Sequence, residues 1–131
     1  MRFAFACLAA LALAVSTSAA SGINSISAPP GLHYGDLFTP EATWATNVRE
    51  PWAFAVCYAD ESSVVPSSYA VGDEIWSGYR SLVGLTGSQF LLADPIQNIW
   101  RGGGADCRLD LVDFRGGKRL VLASSAFAVA P

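Results

Sequence analysis

The sharpest regularity in the chain is the run ADCRLDL at 105–111, where apolar and charged residues alternate with period two. Successive side chains of a strand point to opposite faces. The pattern therefore predicts a strand with Ala105, Cys107, Leu109 and Leu111 buried and Asp106, Arg108 and Asp110 in solvent. Gly116-Gly117 follows and predicts a two-residue hairpin turn, because both central positions can take positive φ. The return strand is expected over 120–129. A second strong segment, WAFAVCYA at 52–59, is apolar on both faces. It sets Trp52, Phe54, Val56 and Tyr58 on one side and Ala53, Ala55, Cys57 and Ala59 on the other, as in a strand with neighbours on either hand. Weaker strands are expected over 22–28, with Ile23 and Ile26 inward, over 37–45 with Pro40 at an edge or bulge, and over the short stretch SSVVP at 62–66. Two more are expected at 74–76 and 89–93. Pro29-Pro30-Gly31, Glu50-Pro51 and Asp94-Pro95 break the chain. Beyond residue 20 no helical apolar stripe exceeds two turns, so the fold expected is all-β with many short strands.

The first twenty residues follow another rule. Arg2 supplies a positive start, 3–15 are uninterruptedly apolar, and Ser18-Ala19-Ala20 is a small-residue cleavage site. That is the layout of a secretory signal peptide, too short for a typical membrane span. The expected organisation is a cleaved signal helix at 1–20 and one domain at 21–131. Cleavage after Ala20 leaves 131 − 20 = 111 residues, with seven Lys+Arg against eleven Asp+Glu, a net charge of −4. No basic patch invites a phosphate backbone, so nucleic acid is not an expected partner. No later stretch approaches spanning length. The expected location is secreted, or extracellular.

Export also fixes how the cysteines are read. Processing leaves Cys57 and Cys107, and an even count in an oxidising compartment predicts a disulfide. It closes a loop of about fifty residues, worth about 4 kcal/mol on a chain-entropy basis.

The combination W…GGGADC…L, a tight hairpin and then LASSAFAV resembles small secreted, actinobacterial-type proteins with an immunoglobulin-like sandwich. The residues carrying it are Trp100, Gly102 to Gly104, Ala105, Cys107, Leu109, Leu122, Ala123, Ser124, Phe127 and Val129. Upstream, LHYGDLFT and WAFAVCYAD extend the likeness over most of 22–130. The resemblance implies an immunoglobulin-like Greek-key sandwich of about seven strands with one disulfide, and implies no activity. In antibody-type domains the disulfide joins strands B and F across the two sheets. Here a full strand at 37–45 would precede Trp52, which favours strands C and F within one sheet; the spacing also fits B and F.

Candidate chemistry is sparse. Gly102-Gly103-Gly104 leads into a strand instead of a helix N-terminus, so it reads as a corner and not a phosphate cradle. His33 near Asp36 lacks a nucleophile elbow and reads as a surface residue. Asp106 and Asp110 with Arg108 between them read as a charge-balanced, solvated strand face and not as a glycosidase pair. The acidic pairs Asp60-Glu61 and Asp73-Glu74 lack the ligand spacing of a calcium loop. No metal, cofactor or catalytic residue is expected. If Cys57 faces the core, Trp52, Phe54, Val56 and Tyr58 face outward and form a partner surface, unless Tyr79 and Trp76 cover them. The reading is a secreted, non-catalytic immunoglobulin-like module that binds protein or carbohydrate. The alternatives are a small secreted hydrolase or enzyme inhibitor acting through loops, and a structural part of an extracellular assembly.

Overall fold

A computed structural model describes residues 23–83 and 89–131; the expected signal peptide at 1–20 lies outside them. Among the described residues nine strands follow in chain order: β1 Ser25–Ser27, β2 Leu32–His33, β3 Leu37–Phe38, β4 Glu41–Thr43, β5 Pro51–Ala59, β6 Glu74–Ser81, β7 Phe90–Leu91, β8 Ala105–Arg115 and β9 Lys118–Ala130. They form three sheets: a five-stranded one in the order β2-β9-β8-β5-β6, and two-stranded ones pairing β1 with β4 and β3 with β7. The chain is thus all-β among the described residues. All pairings are antiparallel except β2 with β9.

The inner face of the large sheet is built as the alternation predicts. Ala105, Cys107, Leu109 and Leu111 of β8 are buried, opposite Ala59, Cys57, Ala55 and Ala53 of β5. Cys57 and Cys107 face each other directly and are joined by a disulfide, with Cα atoms 4.0 Å apart. The bond thus lies within one sheet, between neighbouring strands. The small side chains of β5 leave space that large residues from the connections fill: Trp100, Phe90 and Leu92 are fully buried in the same cluster, with Ile26, Leu32 and Phe38. Phe38 stacks on Phe90 at 5.3 Å across the β3–β7 pair and meets Phe127 of β9 at 5.5 Å. Trp100 is held by Tyr34, whose ring lies edge-on at 5.0 Å and whose hydroxyl donates to the Trp100 carbonyl. Each large apolar side chain buried in this way contributes about 1.5–3 kcal/mol.

Several weaker expectations are corrected. The strand expected at 37–45 is two strands in different sheets, because Pro40 offers no amide to a ladder and falls between them. Ile26 points inward, but Ile23 is exposed. The SSVVP stretch is irregular chain and not a strand, tied to the 100–104 corner by Val64 N–H to the Gly102 carbonyl and Arg101 N–H to the Val64 carbonyl. β6 runs well beyond the expected 74–76, and β7 keeps only two residues of 89–93. In the glycine corner, Gly103 has φ 75°, and a Cβ there would overlap the Ser62 carbonyl. The corner therefore needs glycine for close approach of two backbones. Gly116 and Gly117 have φ of 56° and 79°, the values of a type I′ hairpin turn between β8 and β9.

Candidate functional site

The outer face of the five-stranded sheet carries the largest group of aromatic side chains that remain in contact with solvent. Trp52, Phe54, Val56 and Tyr58 of β5 point to it, opposite Val112, Asp110, Arg108 and Asp106 of β8. On the other side β6 sets Ser81, Tyr79 and Ser77 against Trp52, Phe54 and Val56. Val56 and Val112 are buried beneath the rings, while Trp52, Phe54 and Tyr58 are half-buried. Tyr79 is 39% and Phe114 36% exposed. The rings lock edge to face: Trp52 meets Tyr79 at 6.4 Å and 79°, and Phe114 at 6.2 Å and 82°. Phe54 lies 4.6 Å from Tyr79.

A polar network runs through this apolar surface. Asp110 is expected from the alternation to be solvated; it is instead 2% exposed. The correction has a clear cause, since a carboxylate is tolerated in such burial only when charged and hydroxyl donors surround it. Arg108 Nε donates to Asp110 at 3.1 Å, Arg119 Nη2 at 3.3 Å and the Ser124 hydroxyl at 2.7 Å. Arg119 also donates to the Tyr79 hydroxyl at 2.9 Å and lies 5.0 Å over the Phe54 ring. The Asp110 hydrogen bond, above all, holds the Arg108 guanidinium above its ordinary pKa.

The four residues expected as a partner surface therefore do share one face, but Val56 is not available on it. Tyr79 covers part of it as expected. Trp76 does not: it pairs with Cys57 and packs inward against Phe90 and Trp100. Period two explains this, since Trp76 lies three residues from Tyr79 in unbroken register and so falls on the opposite face. At the irregularity between Cys57 and Tyr58, β6 carries the extra residue Ile75, which turns inward beside Trp76. Phe114 and Arg119 were not expected on this face. The signal for them is in the sequence: the period of β8 continues through Val112 to Phe114, and a two-residue turn sets Arg119 opposite Phe114.

Other candidates are less open to chemistry. His33 is exposed, with its ring 3.9 Å from Asp36. The Asp60 carboxylate is taken up by the amide and hydroxyl of Ser62, and Asp73 accepts the Ala70 amide. Among the described residues, no three His, Cys, Asp or Glu side chains are grouped to hold a metal ion. A groove of about 540 Å³ runs between β6 and residues 93–97. Two of its charged groups are engaged: Asp94 accepts the amides of Gln97, Ile99 and Trp100, and Arg80 donates to the carbonyls of Gln89 and Tyr79. No helix among the described residues is long and apolar enough to cross a membrane.

Comparison with known proteins found no matching family model, no matching curated protein and no matching solved structure.

Proposed function

We propose that the protein is an exported, immunoglobulin-like binding module of the actinobacterial secreted type, without catalytic function. It engages a protein partner through the outer face of its large sheet. The observation that carries this reading is the half-exposed ring cluster of Trp52, Phe54, Tyr58, Tyr79 and Phe114 over a buried valine pair. Aromatic residues and arginine are the side chains that dominate protein interfaces. A protein surface is favoured over a carbohydrate because rings crossed at about 80° offer no parallel platform to a pyranose. The hydroxyls and guanidinium groups on the face also bond one another. For the fold, the order β9-β8-β5-β6 supports the G-F-C-C′ sheet of variable-type immunoglobulin domains, with the disulfide between C and F. The disulfide in turn supports export, since such bonds persist in oxidising compartments.

A photo-crosslinking residue at position 79, with one at position 96 as control, tests the reading on envelope and culture proteins of the source cells. The expected result is a discrete adduct from position 79 that unlabelled wild-type protein competes away and a Tyr79→Ser/Phe114→Ser variant does not. Equal competition by that variant, retention on insoluble polysaccharide alone, or turnover of a chromogenic ester or glycoside would overturn it.

A further inference from the structure

All eleven acidic residues and every cation except Arg2 lie among the described residues, so the distribution of charge over the molecule is known. It is strongly polarised along the strands. Asp60, Glu61, Asp73, Glu74 and Asp106 gather at the end where β5 finishes and β8 begins. Glu74 and Asp106 both pair with Tyr58, and the Ala59 amide donates to the Asp73 carbonyl. Two cations stand nearby: Arg101, in the corner that leads into β8, and Arg108, which donates to the Tyr58 hydroxyl but is shared with Asp110. At the opposite end, around the β8–β9 turn, stand Arg49, Arg115, Lys118 and Arg119. Of the acids there, Asp113 and Asp110 are buried and hold Arg115 at 2.7 Å and Arg119 at 3.3 Å, which leaves Arg49 and Lys118 to carry the positive character of this end. Glu50 alone is exposed. At about 3.3 Å per residue, Asp106 and Arg115 on β8 are about 30 Å apart.

We propose that the protein self-associates head to tail, the basic turn end of one copy meeting the acidic end of the next. A contact between two different surfaces runs head to tail, so it builds open chains of the module, or rings where the rotation closes, and not a symmetric dimer. Opposed charge steers such encounters and fixes their orientation. At about 0.01 M salt the screening length of about 30 Å spans the whole module, and at 0.15 M it falls to about 8 Å. The association is therefore strongest at low ionic strength. Arg49, Lys118, Glu61 and Glu74 lie outside the ring cluster, so self-association stands or falls apart from the binding reading.

Sedimentation velocity over a range of protein concentrations at 10 mM and 500 mM salt tests it. The weight-average sedimentation coefficient is expected to rise with concentration at low salt and to stay at the monomer value at high salt. Two variants at exposed positions reverse one end each: Arg49→Glu/Lys118→Glu and Glu61→Lys/Glu74→Lys. Each alone is expected to weaken self-association at least tenfold, and an equimolar mixture of the two is expected to restore it. A monomer at low salt across all concentrations, association that persists at high salt, or association unchanged in both variants would overturn the proposal. The salt series on the unaltered protein decides the matter if a variant fails to fold.

Discussion

Removing the disulfide gives the most quantitative check on how this fold is held together. Cys57 and Cys107 are separated by 50 residues in sequence. Tying them confines the unfolded chain, and for a loop of this length the chain-entropy relation gives about 4 kcal/mol at 25 °C. Both sulfurs are buried, at 0% and 5% exposure, so a Cys57→Ala/Cys107→Ala variant also leaves a void costing about 1 kcal/mol. Against a typical net stability of about 5–15 kcal/mol, that is a third of the total or more. With a urea dependence of about 2 kcal/mol per molar, the unfolding midpoint should fall by about 2 M or slightly more. Urea titration followed by tryptophan fluorescence measures this, with a thiol count on the denatured protein to establish the redox state. Wild-type protein unfolded in reductant should match the double variant to within the cost of the void. A midpoint within about 0.5 M of the oxidised protein, in a sample counted to hold two free thiols, would show that the confinement argument is wrong. Two free thiols in untreated protein would remove the bond altogether.

Two other predictions concern the loops. Gly103→Ala should be much more damaging than Gly116→Ala: both have positive φ, costing about 1–2 kcal/mol, but only at 103 does the new methyl overlap the Ser62 carbonyl. Thermal unfolding should show the first variant losing several degrees more than the second, and equal losses would refute the corner as described. The Asp60 carboxylate is subject to burial, which raises its pKa, but bonds from the hydroxyls and amides of Ser62 and Ser63 outweigh this and lower it from 3.8. A carboxylate with a lowered folded pKa contributes stability above its unfolded value that is lost as pH falls through the folded one. Asp60→Asn should therefore reduce stability at pH 7 and flatten the loss as pH falls below about 4 in urea titrations; an unchanged acid slope would count against these bonds.

Much of the large sheet was legible because its central strands obey simple rules. β8 alternates, β5 is apolar on both faces, and Gly116-Gly117 sits between two strand-like runs, so three of the five strands and the facing cysteines could be placed. The small sheets were not legible in the same way. Strands of two or three residues such as Leu37–Phe38 and Glu41–Thr43 are too short to show a period, and tertiary contacts select them. The surface was half legible. Period two put Trp52, Phe54 and Tyr58 together and sets Trp76 on the face opposite Tyr79; what it does not show is the extra residue Ile75, which turns inward beside Trp76. Asp110 was misjudged for a different reason. Its burial depends on Arg119 and Ser124 of the next strand, and no local pattern announces partners that arrive only when a hairpin closes.

The row of alanines along β5 has one more consequence. The central strands contribute little bulk, and the interior is filled by Phe90, Leu92 and Trp100, which belong to a short strand and to connecting chain. The usual division between a robust scaffold and expendable connections is therefore inverted in this part of the molecule. A protease nick or an inserted tag within 90–100 would empty the centre of the protein, whereas the tip at Gly116-Gly117, where added atoms meet open space, is the place to graft a label or a foreign peptide.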